Sequence, residues 1–354
     1  MHRTFVQGCK ATGRKLVAVT SATVALETLA ALSVAHPGWI VAGAGLGAWL
    51  GGHVARRCVS RLVPAALLLA ALGSLGLAWC FAEAVHTLVA GTVGLGVGMA
   101  QPAAMAWGAR LASSRRRGLA IGVHGVAASA GVAGAGALRW AAPSGVAFVV
   151  VATLCLGLAL TLRGLDGPSN FGRSQHGCSG VGVSVIAGAL RYGVVLSLPA
   201  LASSRWGLVD DQAASIFAVG AAAAVGLKLA VTACSDRGAP RVVATMFGLG
   251  LCSVSTAFVL GTSATAGWAA SVGLVATSTA ALSLANVHAV GVGDAMPVDP
   301  YRMGRARAMQ LAAGAGCAAV LPSASASLVH ALLLTLPLAF VACALLQPPR
   351  RSLR

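Results

Sequence analysis

Three charged side chains lie inside long apolar stretches of the sequence. Glu27, Arg191 and Lys228 each fall within a run of about twenty residues that is otherwise uncharged. A charge at the centre of a bilayer costs about 2.5–3.5 kcal/mol on insertion scales, so each should face the protein interior or water. We expect Glu27 to be a proton-coupling or cation-binding carboxylate, and Arg191, beside Tyr192, to bind an anion or pair with a charge. For Lys228 we favour snorkelling to the membrane surface.

Neutral polar side chains in other apolar stretches are further candidates for substrate or proton contact. They are Gln101, His124, Asn286, His288 and Gln310. For any one of them a hydrogen bond between helices is an equally good interpretation. The two histidines titrate near neutral pH and could shuttle protons, although a packed, hydrogen-bonded histidine is the favoured interpretation.

The composition excludes an ordinary soluble domain. Of the 354 residues 57% are hydrophobic and 9% charged, against roughly 25% charge in soluble domains. A net charge of +17 would indicate nucleic acid in a soluble protein, but here the basic residues cluster between apolar runs, and no nucleic-acid partner is expected. The nine cysteines are scattered, and no metal-ligand spacing, phosphate loop or nucleophile–base pair is present. We expect no metal, no cofactor and no enzyme activity.

The hydropathy pattern predicts an all-α membrane protein with twelve transmembrane helices. The predicted spans are 16–35, 38–55, 62–80, 85–108, 118–138, 145–162, 183–202, 213–233, 242–261, 266–290, 307–326 and 328–346. Of the 25 Lys and Arg residues, only Arg139 and Arg205 fall in loops on the second side, while Arg191 and Lys228 lie within spans. This asymmetry predicts a multi-pass protein of the plasma (inner) membrane with both termini in the cytoplasm.

The two halves of the sequence echo each other. A Gly- and Ser-rich stretch at 163–182 predicts a flexible cytoplasmic linker between six-helix bundles at 1–162 and 183–354. The basic turn after the second span recurs after the eighth, and the arginines before the fifth span recur before the eleventh. Two pseudo-twofold related bundles are therefore expected. The Gly94-x-Gly96-x-Gly98 run lies inside an apolar helix, which favours helix packing over a dinucleotide loop.

At these turns the sequence resembles the major facilitator superfamily over nearly its whole length. The family's loop reads G-x-x-x-D-R-x-G-x-R, and its matching residues here are Gly52, Arg57 and Arg61 in the first copy and Asp236, Arg237 and Arg241 in the second. The first copy has Arg56 in place of the acid and Val59 in place of a glycine. The resemblance implies a gating role for these loops; the alternative is a short basic turn that sets topology.

The resemblance also implies where the charged candidates lie. In the family the first and seventh helices line a central cavity from opposite halves, so Glu27 and Arg191 would meet across it. A purely structural ion pair between them is an equally good interpretation. The fourth helix carries Thr92 where many proton-coupled members have a buried arginine, which weakens an assignment as a proton antiporter.

We therefore predict a secondary active transporter of a small solute that works by alternating access as a monomer. The two intramembrane cations, Arg191 and Lys228, slightly favour an organic anion such as a monocarboxylate as the substrate. Drug-like efflux substrates are equally compatible with the sequence. Coupling to protons and simple facilitation or exchange both remain open. The alternatives are a non-transporting membrane scaffold or sensor and, less favoured, a lipid-modifying membrane enzyme.

Overall fold

A computed structural model shows a chain built from helices. It describes residues 2–32, 37–79, 83–166, 171, 181–208, 210–237, 240–290, 298–320 and 326–346. No strand occurs in these ranges. Helices satisfy their own backbone hydrogen bonds, which apolar segments surrounded by lipid require.

The first half of the chain forms five continuous helices, one of which is bent. They are α1 (His2–Leu32), α2 (Pro37–Trp79), α3 (Glu83–Leu111), α4 (Arg117–Ala141) and α5 (Ser144–Arg163), with a short 3-10 turn at Ser114–Arg116. α2 bends at Cys58, whose backbone angles (φ −151°, ψ 52°) leave the helical region. We expected a loop between the second and third spans; instead both belong to α2 and the bend separates them.

The second half begins with a helix that changes its winding. α6 (Val181–Gly188) continues as a π-helix (Ala189–Val194) and then as α7 (Val195–Trp206), and together they form the seventh span. The remaining helices are α8 (Asp210–Asp236), α9 (Pro240–Leu260), α10 (Ala264–Val290), α11 (Pro300–Val320) and α12 (Ala326–Leu345).

The helices account for twelve spans. Nine helices within the described ranges are long and apolar enough to cross a membrane. α2 supplies two spans and the α6–α7 segment a further one, while α11 is less apolar because Arg302, Arg305 and Arg307 lie in its first turns. The predicted spans match these helices closely except for the first and the eleventh: α1 begins at His2 and not at 16, and α11 begins at Pro300 and not at 307.

The described contacts group the chain into two compact units. Unit 1 comprises Met1–Ser174 and Pro297–Ala308, and unit 2 comprises Gln175–Met296 and Met309–Arg354. The beginning of α11 therefore packs within unit 1. Of the predicted linker 163–182, residues 167–170 and 172–180 lie outside the described part of the chain, and the predicted bounds of the two bundles stay a prediction.

Each unit has its own apolar core and the same pairing of spans. Trp107 is buried in the core of unit 1, and Phe258 and Phe340 in that of unit 2. In unit 1 the first part of α2 packs on α3, its second part on α5, and α1 on α4. In unit 2 α8 packs on α10, α9 on α12, and α6 on α11. The second and fourth, third and sixth, and first and fifth spans of each half thus pair alike, as a sequence repeat requires.

Glycines bring α2 and α3 into backbone contact. Gly43, Gly47 and Gly51 on α2 and Gly94 and Gly98 on α3 each face the other helix so closely that a Cβ would overlap its backbone. Small residues at a spacing of four let helices approach in this way. This confirms helix packing, not a nucleotide loop, as the role of the glycine-rich run in α3.

Candidate functional site

Three polar side chains from α1, α3 and α11 form a cluster within unit 1. The Nε2 of Gln101 donates to the Oε1 of Glu27 at 2.5 Å. The Oε1 of Gln101 accepts from the Nε of Arg307 at 3.2 Å and from its Nη2 at 2.9 Å. That same Nη2 lies 3.8 Å from the Oε1 of Glu27. The amide of Gln101 therefore lies between a carboxylate and a guanidinium and bonds to both.

The position of Glu27 is fixed by close packing of α1 against α4. Gly131 faces Glu27 so closely that a Cβ at this position would lie 2.7 Å from the Cβ of Glu27. The hydroxyl of Thr28 donates to the carbonyls of Val24 and Gly131, at 2.8 and 3.0 Å. Because a larger residue at 131 would push α4 away, this glycine positions the carboxylate.

His124 on α4 contacts α1 one helical turn before Glu27. Its Nδ1 lies 3.0 Å from the hydroxyl of Thr23, which also lies 3.3 Å from the Val19 carbonyl. The imidazole is 1% exposed, and its Nε2 has no hydrogen-bond partner among the described residues. Gly108 on α3 leaves the space that the ring fills, because a Cβ there would overlap Nε2.

Arg307 belongs to the cluster although sequence reasoning placed it among the loop charges. α11 begins at Pro300, so Arg307 lies about two turns inside the helix. The signal was present: Asp299 followed by Pro300 has the pattern of an N-cap and a first helical residue. Asp299 does cap α11, because its Oδ1 accepts from the backbone N–H of Tyr301 at 3.1 Å.

The same N-cap residue forms a second Arg–acid contact in unit 1. Arg56 donates from Nε to the Oδ1 of Asp299 at 2.8 Å and from Nη2 to Oδ2 at 2.6 Å. The side chain of Asp299 is 1% exposed and that of Arg56 27%. Arg56, which stands where the family's loop pattern has an acid, thus pairs with an acid at the start of α11.

Aromatic and glycine contacts surround this ion pair. The guanidinium of Arg56 lies over the ring of Tyr301 at 4.5 Å, and the ring of His53 lies 4.3 Å from the Tyr301 ring. Gly52 packs directly on the first turns of α11, because a Cβ added to it would lie 3.0 Å from the Cα of Gly304. Of the predicted first-copy gating residues, Gly52 therefore contacts α11, whereas Arg57 and Arg61 are exposed on α2.

Unit 2 brings together a different set of predicted candidates. The Nε2 of Gln310 donates to the Oδ1 of Asn286 at 3.0 Å, which links α11 to α10. Arg191 and Tyr192 lie in the π-helix, and Gly314 of α11 packs on the Cβ of Tyr192. Helices of this winding are rare and frequently occur at functional sites. His288 is buried near the end of α10.

The sequence matches no protein-family model and no curated protein. Its structure, in contrast, is similar to solved transporters along nearly the whole chain. The fucose:proton symporter FucP of E. coli aligns with a TM-score of 0.74 at 11% identity, covering 98% of this chain and 99% of that chain. The human organic anion transporter MFSD10 aligns with a TM-score of 0.75 at 16% identity, covering 95% and 99%. The proton:xylose symporter XylE aligns with a TM-score of 0.67 at 13% identity, covering 94% and 95%.

This chain has the major facilitator fold. The resemblance seen in the loop motifs and the predicted fold class, twelve helices in two bundles, are confirmed. A major facilitator fold with apolar helices of this length makes the chain a multi-pass membrane protein. At identities of 11–16% the likeness defines the fold, and residue roles rest on the contacts in this chain.

Within the major facilitator fold the second loop copy differs from the first. Asp236 ends α8 and is half-buried, and Arg237 is exposed beside it. Arg241, in the first turn of α9, donates to the carbonyl of Leu345 near the end of α12. The gating role of both copies stays a prediction.

The structure bears on the roles expected of Lys228 and of the Glu27–Arg191 pair. Lys228 is 2% exposed, so the snorkelling expected of it is wrong. Glu27 lies in unit 1 and Arg191 in unit 2, and their pairing stays a prediction.

No group of three or more His, Cys, Asp or Glu side chains within the described ranges is placed to hold a metal ion.

Proposed function

We propose that this chain is a secondary active transporter of a small solute that works by alternating access. The Glu27–Gln101–Arg307 cluster is the observation that carries the proposal. A carboxylate and a guanidinium held inside a helical bundle are expensive in a membrane protein and are seldom kept without a function. The solved proteins of this fold include proton symporters and an organic anion transporter, which supports transport as the use of such a cluster.

Within this proposal the predicted candidates divide into two groups. Glu27 and Gln101, together with Arg307, form the coupling or binding centre of unit 1, and His124 adjoins it through Thr23. Arg191, Tyr192, Asn286 and Gln310 are the substrate candidates of unit 2. The substrate class we favour is an organic anion such as a monocarboxylate, and a drug-like compound is the alternative.

Solute counterflow in proteoliposomes tests the proposal directly. Purified protein is reconstituted with a panel of organic acids, sugars and lipophilic amines inside, and uptake of the labelled compound is followed with and without a pH gradient. We expect at least one solute to exchange, and Glu27→Gln and Arg191→Ala to change its rate or its response to pH. Arg110→Ala, on the exposed end of α3, is the control that should behave as the wild type.

Normal transport by both Glu27→Gln and Arg191→Ala would contradict the site assignment. No exchange of any solute by folded protein would favour a scaffold or sensor. We further propose that the protein is a monomer in the plasma (inner) membrane. Its termini are proposed to be cytoplasmic, because the basic loops lie on one side of the predicted spans.

A further inference from the structure

Exposed arginines gather at one end of unit 1. The contacts along the helices show that α1 runs parallel to α4, and the first part of α2 parallel to α3. The bend of α2, the end of α3 and the start of α4 therefore lie at the same end of the unit, together with the basic part of α1. We call the following exposed arginines of this end the basic rim: Arg14, Arg57, Arg61, Arg115 and Arg116.

Unit 1 has little negative charge to balance the basic rim. No acidic side chain within the described ranges pairs with an arginine of the rim. Glu27 and Asp299 bond to other residues of the unit, and Asp166 is the one exposed acid among its described side chains. Because arginines gathered at one end repel one another, anions from outside the chain would stabilise them there.

Favourable positions at helix ends do not account for the rim. Arg110 and Arg163 are also exposed, but each lies in the last turn of a helix, where the helix dipole favours a cation. Arg115 and Arg116 lie directly before α4, in the short 3-10 turn, where the dipole of α4 disfavours positive charge. These two arginines are thus placed where the fold alone gives no benefit.

The opposite end of unit 1 carries exposed tryptophans. Trp39 and Trp79 lie at the two ends of α2, and Trp140 lies at the end of α4. Tryptophan is enriched where a membrane meets water, so this end lies at one surface of the bilayer and the rim at the other. The rim is therefore at the level of phospholipid headgroups.

Exposed apolar side chains lie about one helical turn from the rim. Val17 follows Arg14 on α1 and is 65% exposed, Val54 precedes Arg57 on α2, and Leu119 follows the 3-10 turn on α4. An arginine with an exposed apolar neighbour fits a phospholipid, whose headgroup is charged and whose acyl chains are apolar. A soluble anion would leave the apolar neighbours uncovered.

We propose that the basic rim binds the headgroups of anionic phospholipids and so collects these lipids around unit 1. Each arginine near an anionic membrane surface raises affinity for it by about fivefold. Unit 2 provides the comparison: in its described part the matching turns hold the exposed Arg237, which follows Asp236 in the chain, and Arg241, which donates to the carbonyl of Leu345. The proposal does not depend on the proposed transport function.

Native mass spectrometry of the detergent-purified full chain tests the inference. The probes are dioleoylphosphatidylglycerol, which is anionic, and dioleoylphosphatidylcholine, which has the same acyl chains and no net charge. We expect the wild type to bind the anionic lipid at least about fivefold more tightly than the zwitterionic one. Raising ammonium acetate from about 50 to about 500 mM should weaken binding of the anionic lipid alone, because salt screens the charges.

Paired variants locate the site. Arg115→Gln with Arg116→Gln should lower the preference for the anionic lipid at least about threefold, and so should Arg57→Gln with Arg61→Gln. Arg115→Lys with Arg116→Lys should keep most of it, because the positive charge is retained. The matched control, Arg237→Gln with Arg241→Gln, removes the same charge from unit 2 and should keep the wild-type preference.

Three results would overturn the inference. They are equal binding of the two lipids by the wild type, a preference that does not change with salt, and an equal loss in the rim and control variants. A fourth concerns the source of the phosphate group: displacement of the lipid by millimolar sn-glycerol 1-phosphate, the soluble part of its headgroup, would indicate a soluble ligand. Because the rim is exposed, each variant should unfold without lipid at the wild-type Tm, which separates lost binding from lost folding.

Discussion

Among single substitutions that remove a charge from α2, Arg56→Gln should destabilise the protein most, because it breaks the Arg56–Asp299 pair. In Arg56→Gln the carboxylate of Asp299 stays buried, 1% exposed, without its guanidinium. Removing one partner of a buried ion pair costs about 3–5 kcal/mol, because the other charge is left uncompensated. For a domain of about 150–250 residues each kcal/mol lowers Tm by about 2–4 °C, so a fall on the order of 10 °C is expected.

A double-mutant cycle with Asp299→Asn isolates the pair from its surroundings. Asparagine is as good an N-cap as aspartate, so the bond to the N–H of Tyr301 can persist in Asp299→Asn. The double variant Arg56→Gln with Asp299→Asn has no charge at either position of the pair and should recover most of the stability that Arg56→Gln loses. The coupling between the two sites should be about 2 kcal/mol or more.

Thermal unfolding of the detergent-purified variants measures these effects. Arg57→Gln is the matched control, since Arg57 is the next residue and is exposed; it should change stability by less than about 0.5 kcal/mol. Equal Tm values for Arg56→Gln and Arg57→Gln would refute the reasoning, and so would single effects that simply add in the double variant.

Three further predictions concern other parts of the chain. Gly108→Ala should destabilise unit 1 by about 1–3 kcal/mol because the new methyl group overlaps the His124 ring, whereas Gly91→Ala, with open space at its Cβ, should not; equal Tm values would contradict the packing. Gln310→Ala should cost about 1–3 kcal/mol by leaving the Asn286 amide without this bond, and Gln310→Ala with Asn286→Ala should cost less than the sum of the single changes; strictly additive values would show that the bond does not form. In a cysteine-free background, Ser114→Cys in the basic turn should react with a membrane-impermeant maleimide only from the cytoplasmic side, and labelling from outside would reverse the predicted orientation.

The spans were predictable because hydropathy and length alone decide where a helix can cross a membrane. The pairing of spans within each unit follows from the repeat, and the glycines of α2 and α3 signal their close approach. The bend at Cys58 was not predictable in form, because a basic run fits a loop and a bent helix equally well. The π-helix at Ala189–Val194 packs against α11, and no local pattern in the sequence points to its winding.

The candidate site was predicted in part. Glu27 and Gln101 stand out as polar residues in apolar helices, and the structure brings them together. Arg307 was missed because counting basic residues assigns every arginine near a span end to a loop. Reading Asp299-Pro300 as a helix start would have moved the beginning of α11 by two turns and placed Arg307 inside the bundle.

The scarcity of acids explains why these two contacts define unit 1. The sequence holds 8 acidic residues against 25 basic ones, so most of the basic side chains cannot have an acidic partner of their own. α11 carries arginines at 302, 305 and 307 in its first turns, where the helix dipole disfavours positive charge. Asp299 offsets this at the N-cap and draws Arg56 of α2 to it, while Glu27 and Gln101 hold Arg307 from α1 and α3. A helix start that would otherwise be unfavourable is thereby fixed to unit 1 at two points.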